Sequence, residues 1–175
     1  MKDLYVSWDE YNRLIEKLAL KIYDSGWNFD AIVCLARGGL RVGDVLSRLF
    51  DRPLGVLFTS SYREAAGTRQ SRLMIAEHLS SAEPLPGPNW LLADDLVDSG
   101  ATLVEVVPAL KQRFAEIEEI RSAVIWRKGA SIAEPDFYIE HLPTNPWIHQ
   151  PFEVYDAMGP EKLAARLRSR AVQES

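Results

Sequence analysis

The chain has 175 residues, 47% hydrophobic and 26% charged, with a formal net charge of -5. Such a length suits one α/β domain with a sizeable core, and an acidic balance without a Lys/Arg run argues against a nucleic-acid partner. Cys34 is the only cysteine, so no intrachain disulfide forms, and no stretch approaches the ~18–20 apolar residues of a membrane helix.

Ser7-Trp8-Asp9-Glu10 reads as a capping box. Tyr11, Leu14, Ile15, Leu18 and Ile22 follow at helical spacing, and Gly26 is the expected stop. The N-terminal Met1–Tyr5 lacks the apolar core of a signal peptide, which with the lone cysteine predicts a cytoplasmic protein. Ala31–Leu35 is a first buried strand, with Cys34 as a small core hydrophobe, and Ala36-Arg37-Gly38-Gly39 follows it directly. Residues 40–50 read as a helix with Val42, Val45, Leu46 and Leu49 on one face, and residues 53–59 as a second strand.

Residues 60–80 carry little pattern beyond a short element near Leu73–His78. Pro84, Pro86, Gly87 and Pro88 mark a turn before the third strand, Trp90–Ala93. A helix from about Thr102 to Phe114 contains Pro108, which should kink or shorten it. Arg121–Trp126 and Phe137–Ile139 read as further strands. Three prolines and a tryptophan beyond His141 imply an irregular segment, and Pro160 opens a last helix carrying Leu163 and Leu167. Strands alternating with helices predict an α/β fold with a mostly parallel central sheet covered by helices, and one domain.

The densest chemistry lies in Leu91–Leu103. An apolar strand ends in Asp94-Asp95, and the chain then turns through Asp98-Ser99-Gly100-Ala101-Thr102 into a helix. Amides at a helix N-terminus lack internal partners and the dipole there is positive, so a phosphate dianion fits. Paired carboxylates beside it suit the vicinal hydroxyls of a ribose, or Mg²⁺. Taken singly, Asp98 or Ser99 could simply cap the helix, and Asp94 and Asp95 could be solvated. Likewise Arg37-Gly38-Gly39 could be an anion-binding loop or an ordinary turn.

Taken together, the strand, Asp-Asp, two apolar residues and Asp-Ser-Gly-x-Thr resemble the phosphoribosyl pyrophosphate signature of type I phosphoribosyltransferases. The further order of Arg-Gly-Gly loop, the strand-end Trp126-Arg127-Lys128 and Trp147-Ile148-His149-Gln150-Pro151 is similar to the bacterial xanthine-guanine and hypoxanthine members. The resemblance covers roughly residues 30–153. It implies a core over about residues 28–140, a small hood formed by segments of about 1–25 and 141–158, and a C-terminal helix over about 160–170.

The resemblance also implies roles. Asp94 and Asp95 bind the ribose hydroxyls and Mg²⁺, while Asp98, Ser99, Gly100, Ala101 and Thr102 hold the 5-phosphate. Arg37, Gly38 and Gly39 take pyrophosphate. The segment from Ser60, Ser61 and Tyr62 through Arg72 forms a mobile loop, from which Arg69 reaches the pyrophosphate. Trp147 stacks on the base, Lys128 reads its 6-oxo group, Ile148 offers main-chain contacts, and Asp98 is the candidate general base. The implied reaction joins phosphoribosyl pyrophosphate to an oxopurine (guanine, xanthine or hypoxanthine) in a homodimer or homotetramer. A sugar-phosphate sensor and an enzyme for another base are the competing readings.

Four positions depart from the commonest pattern. Ser99 stands where threonine is usual, Ala101 where glycine or lysine often occurs, Gly129 where proline is frequent, and His149 where glutamate is found. The helix after Pro160 looks like an extension.

Overall fold

The computed structural model describes residues 3–62 and 72–173. These fall into two compact units, Met1–Asn12 with Pro146–Ser175, and Arg13–Asn145. The division passes through helix α1 (Trp8–Asp24), which opens as the capping pattern predicts: the Glu10 amide donates to Ser7 Oγ at 3.2 Å. It ends before Gly26, whose φ of +69° lies in the left-handed region that favours glycine.

The larger unit is built on a seven-stranded sheet. Its strands are β2 (Ala31–Ala36), β3 (Leu54–Tyr62), β4 (Arg72–Ile75), β5 (Asn89–Ala93), β6 (Leu96–Val97), β7 (Glu119–Lys128) and β8 (Phe137–Leu142). The path runs β4-β3-β2-β5-β7-β6, and β8 lies on β7's other side. Every pairing is parallel except β3 with β4. A parallel sheet needs both faces covered, and β2 shows this by being buried along its whole length.

Alternation on β2 sorts its side chains between two helices. Ala31, Val33 and Leu35 join a core with Leu92, Val124 and the inner face of α3 (Ala101–Arg113), contributed by Leu103, Val106 and Leu110. On the opposite face Cys34 meets α2 (Leu40–Phe50), which comes so close that a Cβ on Gly43 would lie 2.5 Å from Cys34 Cβ. Each fully buried leucine here, such as Leu46 or Leu57, contributes about 1.5–3 kcal/mol. With β2 as the pivot, the chain moves outward one way to β3 and the other way to β5 and β7.

The smaller unit pairs β1 (Leu4–Tyr5) with β9 (Ile148–His149) in parallel. Tyr5 stacks on His149 at 4.3 Å, and His149 Nε2 lies 3.0 Å from Asp3 Oδ2. Tyr11 meets Phe152 edge-on, and α4 (Pro160–Gln173) closes the described chain.

Several expectations need correction. Leu49 is exposed and does not share the buried face of Val42 and Leu46, because the buried stripe of α2 is narrower than its apolar spacing suggests. Ser60–Tyr62 continue strand β3 and pair with Arg72–Met74, so the hairpin is longer than its weak pattern implies. Helix α3 runs unbroken past Pro108. The segment beyond His141 is not wholly irregular; β9 is two residues long, too short to display a period.

Burial pushes the Cys34 thiol up to about 11, so thiolate is scarce at neutral pH. In the folded protein at pH 8 Ellman's reagent should find no rapidly reacting thiol, and in guanidinium chloride one per chain. Fast native reaction would contradict this packing.

Candidate active site

The site gathers at the carboxyl ends of β2 and β5, adjacent parallel strands whose following loops lead to helices on opposite faces. Such a switch point leaves a crevice that no connection covers. Asp94 and Asp95 leave β5 into this crevice, and their backbones are tied to β7. The Asp94 amide donates to the Ala123 carbonyl at 3.0 Å, and the Ile125 amide donates to the Asp95 carbonyl at 2.9 Å. Residues Leu96–Val97 then form β6 against Trp126–Arg127, a pairing hidden in the sequence because it spans two residues.

The acid pair is tightly coupled. The Asp95 amide donates to Asp94 Oδ1 at 2.9 Å, and the Leu96 amide to Asp95 Oδ1 at 2.8 Å. Desolvation, and then the charge of Asp95, holds the half-buried Asp94 carboxyl well above the usual carboxylate range, against the pull of the Asp95 and Gly39 amides.

The loop after β2 closes on this pair. A Cβ at Gly39 would lie 2.5 Å from the Ala93 carbonyl oxygen, and one at Gly38 2.5 Å from Asp95 Oδ1. At Gly39 the neighbours are backbone, so only glycine permits that approach, and at Gly38 a side chain would have to displace the Asp95 carboxylate. The Ala36–Arg37 peptide is cis, and Arg37 is exposed at its end. A cavity of about 290 Å³ is lined by Arg37, Gly38, Asp94, Asp95, Thr102 and, from β3, Ser60 among others. Nothing in a β-strand pattern marks a polar residue facing a crevice, so Thr59 carries no site signal in the sequence, and Ser60 lines the cavity from strand β3, not from a mobile loop. Arg69 lies outside the described residues.

A second cavity of about 100 Å³ adjoins the first, sharing Asp94 and Thr102, and is lined also by Asp98, Ser99 and Gly100. Gly100 caps α3 in the left-handed conformation, φ +83°, so the loop can turn its backbone into the space. Ser99 Oγ accepts from the Ala101 amide at 3.3 Å. Ala101 itself does not line the cavity.

At the far end of β7, Lys128 is buried, and its Nζ lies 3.2 Å from Asp98 Oδ2. The strand thus carries a cation directly to the loop that precedes α3. Trp147 and Ile148 belong to the smaller unit. Trp147 is 59% exposed, and Ile148 buries its side chain. The Leu4 amide donates to the Trp147 carbonyl and the Val6 amide to the His149 carbonyl, so the Ile148 amide and carbonyl point away from β1.

The model of the phosphoribosyl transferase domain matches residues 7–157. A curated relative, the xanthine-guanine phosphoribosyltransferase of Idiomarina loihiensis, is 24% identical over 88% of this chain and 89% of its own. Among solved structures, the purine phosphoribosyltransferase of Pyrococcus horikoshii is 29% identical with a TM-score of 0.71, covering 87% of this chain and 95% of that one. The Helicobacter pylori xanthine-guanine-hypoxanthine phosphoribosyltransferase superposes with a TM-score of 0.73 at 24% identity, covering 88% and 96%. Crevice, acid pair and the glycine-containing loop before α3 thus sit on this fold, and the chain belongs to the phosphoribosyltransferase family, with the type I α/β fold.

Proposed function

We propose that the protein transfers the 5-phosphoribosyl group of phosphoribosyl pyrophosphate to an oxopurine (guanine, xanthine or hypoxanthine), forming the nucleoside monophosphate and releasing pyrophosphate. The observation that carries this reading is the pair of adjoining cavities with Asp94 between them. One offers the amides of a helix N-terminus; the other brings an arginine and a glycine loop beside two carboxylates. A sugar bearing phosphate at one end and pyrophosphate at the other matches that order. The purine names of the relatives support the choice of base.

In this mechanism the bond from ribose C1 to pyrophosphate breaks as the bond to the purine nitrogen forms. Asp98, Ser99, Gly100, Ala101 and Thr102 hold the 5-phosphate, and Asp94 and Asp95 orient the ribose hydroxyls. Arg37, Gly38 and Gly39, with Arg69, take the charge of the leaving pyrophosphate. Trp147 stacks on the base, Ile148 bonds its edge through the main chain, and Lys128 donates to the 6-oxo oxygen. Asp98 accepts the purine N7 proton. Lys128 already meets Asp98, so base and carboxylate share one cation.

Mg²⁺ fits this donor set. It is held by one or two carboxylates together with substrate phosphates, and the crowded charge of Asp94 and Asp95 is what a cation relieves. Bound there, it would neutralise the diphosphate. We further assign the protein to the cytoplasm, as a homodimer or homotetramer of single phosphoribosyltransferase domains.

Purified protein with Mg²⁺ and phosphoribosyl pyrophosphate should release pyrophosphate with an oxopurine and not with adenine or uracil. Silence with every base, alongside tight sugar-phosphate binding, would point to a sensor instead. The Asp98→Asn variant, which keeps the loop's backbone and removes the carboxylate's basicity, should lose about 10²–10⁴-fold in turnover while leaving phosphoribosyl pyrophosphate binding largely intact; equal losses in both would refute the base assignment.

The raised Asp94 carboxyl has a consequence for stability. The folded chain keeps a proton there that the unfolded chain releases above about pH 4, so this stabilisation is complete below that pH and fades as pH rises through the folded pKa. Urea unfolding of the ligand-free protein should show the decline, and Asp94→Asn should remove it. Identical pH profiles for the two proteins would disprove the assignment.

A further inference from the structure

The connection between β7 and β8, residues 129–136, leaves Lys128 and crosses the back of the phosphate loop. The Ile132 amide donates to the Ser99 carbonyl at 2.9 Å. A Cβ on Gly100 would lie 2.6 Å from both the Ala133 nitrogen and Ser131 Oγ, so the turn rests directly on the residue whose positive φ opens the loop. Ser131 Oγ stiffens the turn from within, donating to the Ala133 carbonyl at 2.7 Å and accepting from the Ala133 amide at 3.2 Å.

An ion pair fastens the far side. Glu134 Oε2 lies 2.5 Å from Arg127 Nη2, and the Arg127 side chain is only 18% exposed. Its other terminal nitrogen contacts His141 Nδ1 at 2.8 Å. Arg127 is in turn fixed by its place on β7, paired with Val97 of β6. The turn is therefore clamped to the same strand that carries Lys128, and the loop is held at Asp98 by Lys128 and at Ser99–Gly100 by the turn.

We propose that Ser131, Glu134 and Arg127 are positioning residues for the sugar phosphate: the turn they lock buttresses Ser99–Gly100 and keeps the amides of α3 aimed into the phosphate cavity. None of the three lines that cavity. The inference rests on the proposed role of Asp98–Thr102 as the 5-phosphate loop. An anion site made of backbone amides has no side chain to readjust, so its affinity depends on a backbone held from behind; small misplacements cost about tenfold or more.

The test compares wild type with Ser131→Ala, Glu134→Ala and the charge swap Arg127→Glu with Glu134→Arg, titrating each with ribose 5-phosphate and, separately, with pyrophosphate plus Mg²⁺. Both single variants should lose about tenfold in ribose 5-phosphate affinity and keep pyrophosphate affinity and melting temperature. The swap should recover part of the loss seen in Glu134→Ala. Unchanged ribose 5-phosphate affinity in the variants overturns the buttress, as does an equal loss for both ligands with a lowered melting point. Wild-type protein that takes up no ribose 5-phosphate overturns the loop assignment itself, and the buttress with it.

Discussion

The structure depends on the contact between the loop after β2 and the end of β5. These neighbouring parallel strands deliver their chains to helices on opposite faces, so a crevice opens where they part. Gly39 sits against the Ala93 carbonyl and Gly38 against the Asp95 carboxylate, with no room for a side chain at either. This closeness puts an arginine-bearing loop and two carboxylates around one space, and it desolvates Asp94. Any larger residue in the loop would push apart the groups that the chemistry brings together.

The charge pattern follows from that geometry. Around Asp94 and Asp95 negative charge is crowded; one cavity further on, the N-terminus of α3 offers positive potential. Lys128, buried at the end of β7, stands beside Asp98 and adds a second positive element. Acceptor carboxylates thus lie at the middle of the crevice, with donor groups to either side of them.

The four departures from the family pattern each have a local setting. The Ser99 hydroxyl bonds the Ala101 amide, a role that its smaller size does not impair. Ala101 does not line the cavity at the start of α3, so the missing glycine leaves that space unchanged. At Gly129 a Cβ would lie 2.8 Å from the Pro143 carbonyl oxygen, which leaves no space for proline's ring in this backbone. His149 stacks on Tyr5 and contacts Asp3, giving the short strand β9 a side-chain anchor on β1.

Linear spacing determined the main strands, helices α1 to α4, and the glycine-containing turn of Asp98–Thr102 and the paired acids as features of one strand-to-helix connection, because those signals repeat over several residues or sit next to one another in the chain. Resemblance to a known family added the roles proposed for Arg37, Lys128, Trp147 and Ile148, which no periodicity carries. Tertiary structure alone decided the rest. The two-residue strands β1, β6 and β9 exist only through their partners. The meeting of Lys128 with Asp98 joins residues thirty positions apart in the numbering, and the turn behind Gly100 looks like any polar loop until it is seen packed. Contacts of that kind are set by where strands lie in a sheet, and a strand's neighbours are not written in its own residues.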